Sequence, residues 1–196
     1  MQGRPTFVQP KRPTWPPPKA AAVAEYRLIG YETRALNRDD FDNDKVDAGD
    51  VGSGQTVTAL YEVVPVGGSR TMGDLRYGVV VGSPRVPRPP EAEIGFVKIR
   101  YKLPKSDTSR LISTPIDGRT AVRSFEAAPR DARFATAVAG FAELLRGGRY
   151  TGSLSYDDVL RIANASRGPD EFGYRSEFVE LVRAAKNART MAQLER

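Results

Sequence analysis

The chain has 196 residues, 40% of them hydrophobic and 9% aromatic, enough for one sizeable core or two small ones. It contains no cysteine, which excludes disulfides, thiolate metal sites and cysteine nucleophiles, and no histidine, which removes the commonest general base and the favoured zinc ligand. The net charge is +6, and four of the basic residues, Arg4, Lys11, Arg12 and Lys19, lie in an acid-free head, so the basic helix face or strand of a nucleic-acid binder is not what this composition describes.

Residues 1–22 form a proline-rich head, expected to be extended or disordered, because each proline fixes φ and lacks an N–H donor. Trp15 beside Pro16, Pro17 and Pro18 suits either a ligand for an aromatic-lined groove or a plain linker. No stretch approaches the roughly 20 apolar residues needed to cross a bilayer, and Met1 opens no signal-type segment.

Residues 23–196 read as a single α+β domain, with strands over about 23–125 and helices over about 129–190. Strand-like runs fall at 26–33, 56–63, 75–81, 93–103 and 110–116. In 56–63, Val57, Ala59, Tyr61 and Val63 are expected on one face, with Thr56, Thr58, Leu60 and Glu62 on the other. In EIGFVKIRYKL, Val97, Ile99, Tyr101 and Leu103 are expected to face a core, and Lys98, Arg100 and Lys102 to face water. Loops rich in Gly, Pro and Asp, without helices between the strands, predict antiparallel pairing in a β-sandwich-like sheet.

The period changes at Pro129. Phe134, Val138, Phe141 and Leu145 predict a helix that stops at Gly147 and Gly148. A second helix is expected to open at Ser155, with Asp158 completing a box-type cap and Val159, Ile162 and Ala163 buried. A third, over about 171–188, carries Tyr174, Phe178, Leu181, Val182 and Ala185 as its apolar stripe.

Asp39, Asp40, Asp42, Asp44, Asp47 and Asp50 crowd one loop, the single place where hard oxygen ligands cluster enough for calcium. Asp42, Asp44, Asp47 and Asp50 are the candidate ligands. An EF-hand reading from Asp40 fails, because Lys45 replaces the turn glycine and Val51 the closing glutamate. The alternative is a solvated turn built on Asx geometry and on Gly49, Gly52 and Gly54. Asp157 with Asp158, and Asp170 with Glu171, could serve as acid–base pairs, but both lie near helix starts, where negative charge is favoured anyway. No nucleophile elbow, Walker motif or dinucleotide fingerprint occurs. Lys98, Arg100 and Lys102 with Phe96 offer a face that an acidic partner could use, or an ordinary solvated one.

At YRLIGYETR, DFDNDKVDAGDVGSGQTVTALYEVVP, FVKIRYKLP, ARFATAVAGFAELLRGG and FGYRSEFVELVRAAKNA, the chain resembles the C-terminal domain of unknown function that follows the von Willebrand factor type A domain in bacterial YfbK-like proteins. The likeness runs over about residues 23–188, with its blocks in family order. It implies a β-rich module ending in helices, beside a type A domain in cis or in trans, in proteins expected at the cell envelope, with no reaction and no catalytic residue to carry over. The type A metal motif Asp-x-Ser-x-Ser is absent, and the proline-rich head stands where the family has an extended segment, so the chain is expected to be a fragment of a larger protein. The function expected is a non-catalytic scaffold or interaction module without a cofactor; the alternative is a calcium-stabilised binding domain using the aspartate-rich loop.

Overall fold

The computed structural model describes residues 6–7, 23–30, 54, 56–65, 93–103, 106 and 108–194. The chain divides into two compact units, Met1–Ala121 and Val122–Arg196. The class is α+β, antiparallel strands first and helices after.

Five strands are described in the first unit: β1 (Thr6–Phe7), β2 (Val23–Ile29), β3 (Leu60–Pro65), β4 (Glu93–Lys102) and β5 (Ser109–Asp117). They form a sheet of order β1-β4-β5 and a separate β2-β3 ladder, with every pairing antiparallel. Arg27 stands opposite Glu62 in the β2–β3 register, and Arg27 Nε lies 2.5 Å from Glu62 Oε2, an opposite-charge pair that helps to fix the alignment. The expected run 75–81, the aspartate-rich loop and most of the head lie outside the described residues. Within the head, Thr6 and Phe7 pair with Lys102 and Tyr101.

Two strand expectations change. Residues 56–59 are not strand: Ile29 pairs with Leu60, and Gly30 at φ +77° turns β2 away, so positions before Leu60 have no β2 residue opposite them. The inward face also differs, with Val64 buried and Val63 exposed. Val64 pairs across the ladder with Glu25, beyond a register shift between Val23 and Glu25. On β4 the alternation does not separate core from water, because residues on both faces are half-buried, Lys98, Arg100 and Lys102 included.

The second unit holds α1 (Arg130–Leu145), α2 (Tyr156–Ser166) and α3 (Tyr174–Leu194). Helix α1 begins after Pro129 and ends in a Schellman motif, in which the Gly148 amide donates to Glu143 O (2.9 Å) and the Gly147 amide to Leu144 O (3.2 Å). Its buried stripe is Phe134, Ala137, Phe141 and Leu144; the expected Val138 and Leu145 are exposed. The shift follows from Gly140, where an added Cβ would stand 2.6 Å from Leu154 Cδ2, so the bare side of α1 is the one the chain approaches. Helix α2 buries Val159 and Ala163 completely and Ile162 partly. Helix α3 turns Phe178, Val179, Val182 and Ala185 inward, whereas Tyr174 and Leu181, expected in its stripe, are exposed. Edge-to-face contacts of Phe178 with Phe134 (5.4 Å) and Phe141 (5.6 Å), and of Phe141 with Tyr156 (6.1 Å), join the three helices.

Candidate interaction surface

Asp117, Asp157, Asp158 and Asp170 are committed to structure. Ser155 caps α2 and Asp158 completes the reciprocal box. Hydrogen bonds from the Ser155 hydroxyl and backbone hold the Asp158 carboxyl below its ordinary range. Asp157 pairs with Lys186 across to α3 at 2.5 Å. Asp170 accepts from the amides of Arg175 (3.1 Å) and Ser176 (2.7 Å) at the start of α3. Burial pushes the Asp170 carboxyl up, and these hydrogen bonds bring it below its ordinary value all the same. Asp117 is gripped by Arg119, whose side chain and amide both donate to it, and its carboxyl is lowered as a result. In these positions Asp157, Asp158 and Asp170 serve helix starts and ion pairs.

Among the described residues, no group of three or more His, Cys, Asp or Glu side chains could hold a metal ion, and no helix is long and apolar enough to cross a membrane. Asp42, Asp44, Asp47 and Asp50 lie outside the described residues.

The distinctive surface of the first unit is β5, which ends the order β1-β4-β5. Register with β4 sets Ile112 opposite Ile99, Leu111 opposite Arg100 and Ile116 opposite Gly95. Because neighbours along a strand point to opposite faces, Leu111 lies on one face and Ile112 and Ile116 on the other. All three are exposed, by 50%, 47% and 40%. The face of Leu111 also carries Lys98, whose Nζ sits 5.1 Å from the Phe96 ring centroid, and Arg100, which donates to Ser109 Oγ at 2.7 Å. Among the described strands β5 is an edge strand with apolar side chains on both faces, the form that accepts another strand or a covering domain; Pro115 is the one residue along it without an N–H to offer.

In the second unit, sequence reasoning missed Arg175. Its Nη2 lies 2.9 Å from Asp131, its Nη1 donates to Arg167 O at 2.8 Å, and its guanidinium stands 4.8 Å from the Phe134 ring centroid. No local pattern announces it, since the partners come from α1 and from the turn after α2.

A family model described as "Uncharacterized protein YfbK, C-terminal" matches residues 18–188. The chain is 36% identical over 173 residues to the Escherichia coli (strain K12) protein named Uncharacterized protein YfbK, a stretch covering 88% of this chain and 29% of that protein. The chain thus spans less than a third of the length of the curated relative it matches. No solved structure matches it. An agreement that runs from the end of the proline-rich head into the last third of α3 takes in both units, and the chain belongs to the YfbK C-terminal family.

Proposed function

We propose that this chain is a non-catalytic interaction module that supports a von Willebrand factor type A domain, in the same polypeptide or in a neighbouring one. The observation that carries the reading is β5, the edge strand of its sheet among the described strands, which exposes Leu111 on one face and Ile112 and Ile116 on the other. Scattered single apolar side chains are ordinary on a surface; a run of them along one sheet edge favours a partner. The type A domain as that partner, and an envelope location, rest on the resemblance of the sequence blocks. The commitment of Asp157, Asp158 and Asp170 to caps and ion pairs supports a role without chemistry.

Isothermal titration of the chain with the cognate type A domain tests the proposal. Binding at micromolar affinity or better is expected, with loss on Ile112→Asp. Absence of heat at high micromolar concentration, with both proteins folded by circular dichroism, refutes it.

A further inference from the structure

Helix α3 carries a second apolar stripe beside the one it buries. Tyr174, Leu181 and Met191 are 71%, 57% and 60% exposed, and Ala184 and Ala188 between them are exposed as well. Steps of three, four and seven residues place these side chains on one face. The stripe reads alike in both directions: Leu181 follows Tyr174 by two turns, and Ala184 precedes Met191 by the same interval.

We propose that this face pairs antiparallel with the α3 of a second copy of the chain, about a two-fold point between Val182 and Arg183. In that register Leu181 of each copy stands over Ala184 of the other, large side chain against small. Tyr174 meets Met191, a favourable ring-to-sulfur contact, and Glu177 meets Ala188 beside Arg189. Size and chemistry are complementary at each layer, as a two-fold interface requires, since one patch must fit itself.

Charge selects the antiparallel direction. Glu180 is paired with Arg183, Lys186 with Asp157 and Arg175 with Asp131, so the charges that bear on the seam are Glu177 in the first half of α3 and Arg189 in the second. Antiparallel alignment sets Glu177 of one helix beside Arg189 of the other and opposes the helix dipoles, whereas parallel alignment stacks Glu177 on Glu177. The extent is also sufficient. Aromatic side chains bury roughly 150–250 Å² each, and Phe172, 76% exposed and with its ring centroid 6.1 Å from that of Tyr174, adds to the seam in both copies. With Leu181 and Met191 counted twice, the contact reaches the region of ~1,000 Å² that specific interfaces exceed.

The chain lacks cysteine, which allows a directional test by cross-linking. Glu177→Cys mixed with Ala188→Cys is expected to form a disulfide between the two variants under mild oxidation. Neither variant alone should link to itself, because like positions are about 16 Å apart along the axis at 1.5 Å per residue. Sedimentation of the unaltered chain should approach twice its 21.5 kDa mass as concentration rises, and Leu181→Asp should stay monomeric with its helical signal intact. Self-linking of each single variant would mean parallel pairing and overturn the proposal, as would dimers that persist in Leu181→Asp. If the stripe instead serves the type A domain, Leu181→Asp will abolish that binding while the chain alone sediments as a monomer throughout; this too refutes self-pairing.

Discussion

The Ser155 amide donates to the Asp158 carboxylate at 3.1 Å, while the Asp158 amide donates back to the Ser155 hydroxyl at 3.2 Å, so one pair of residues satisfies two N–H groups at the start of α2. Replacing Ser155 by Ala is expected to cost about 1 kcal/mol of unfolding free energy. Because the two residues act as one unit, Ser155→Ala with Asp158→Ala should cost less than the sum of the singles. Urea denaturation of the three variants measures both points.

Acid should destabilise the protein through a few identified carboxyls. Asp117, Asp158 and Asp170 all lie below their ordinary value in the folded state. The unfolded chain therefore binds more protons near pH 4, so their contribution is complete above that range and fades as pH falls through the folded-state values. With no histidine present, no side chain has an ordinary pKa between about 5 and 8. Thermal melts should be level across that interval and fall below it; a steep slope between neutral and mildly acidic pH would contradict this.

Adjacent positions on α3 should behave oppositely. Val182 is fully buried and Leu181 is 57% exposed. Val182→Ala is expected to cost about 2 kcal/mol, from two lost methyl groups and the space they leave, and Leu181→Ala no more than about 0.5 kcal/mol of folding stability at concentrations where the chain is monomeric. Equal losses at the two sites would mean that the helix is rotated from the orientation described.

Gly168 has φ +62°, and an added Cβ would stand 2.6 Å from the Arg130 guanidinium. Gly168→Ala should cost about 1–2 kcal/mol for the left-handed backbone alone. Adding Arg130→Ala should recover whatever part comes from the overlap, leaving the backbone part. Melting curves of the single and double variants separate the two.

Calcium should leave the melting temperature unchanged relative to chelator, because the spacing of Asp42, Asp44, Asp47 and Asp50 fits a solvated turn better than a calcium loop. A native-state ligand at a hundredfold excess over its dissociation constant would add about 2.7 kcal/mol, an effect that calorimetry resolves easily.

Much of this architecture is legible in the sequence where signals are local. Ser155 with Asp158 marks the start of α2, Gly147 with Gly148 the end of α1, and the β-branched run of β4 its strand. Which apolar residues face inward is harder to read, because Ala137 and Val138, or Leu181 and Val182, are chemically interchangeable until a packing partner is known. The close approach of Leu154 to Gly140 decides it for α1, and that contact joins segments the sequence keeps apart. Arg175 was hidden for the same reason, since its partners Asp131 and Phe134 precede it by two helices. On α3 the apolar spacing overstated the core: its surplus, Tyr174 and Leu181, became the exposed stripe.

Helix α2 is the shortest of the three, packs on both of the others, and contributes Val159 and Ala163, neither with any exposed surface. Eleven residues are too few to hold a helix in water alone. Its amides can therefore exchange with solvent only when α1 or α3 lets go, and either release uncovers the shared aromatic cluster. The three helices should open together, so hydrogen exchange at the centre of α2 reports the lifetime of the whole helical unit rather than the fraying of one segment.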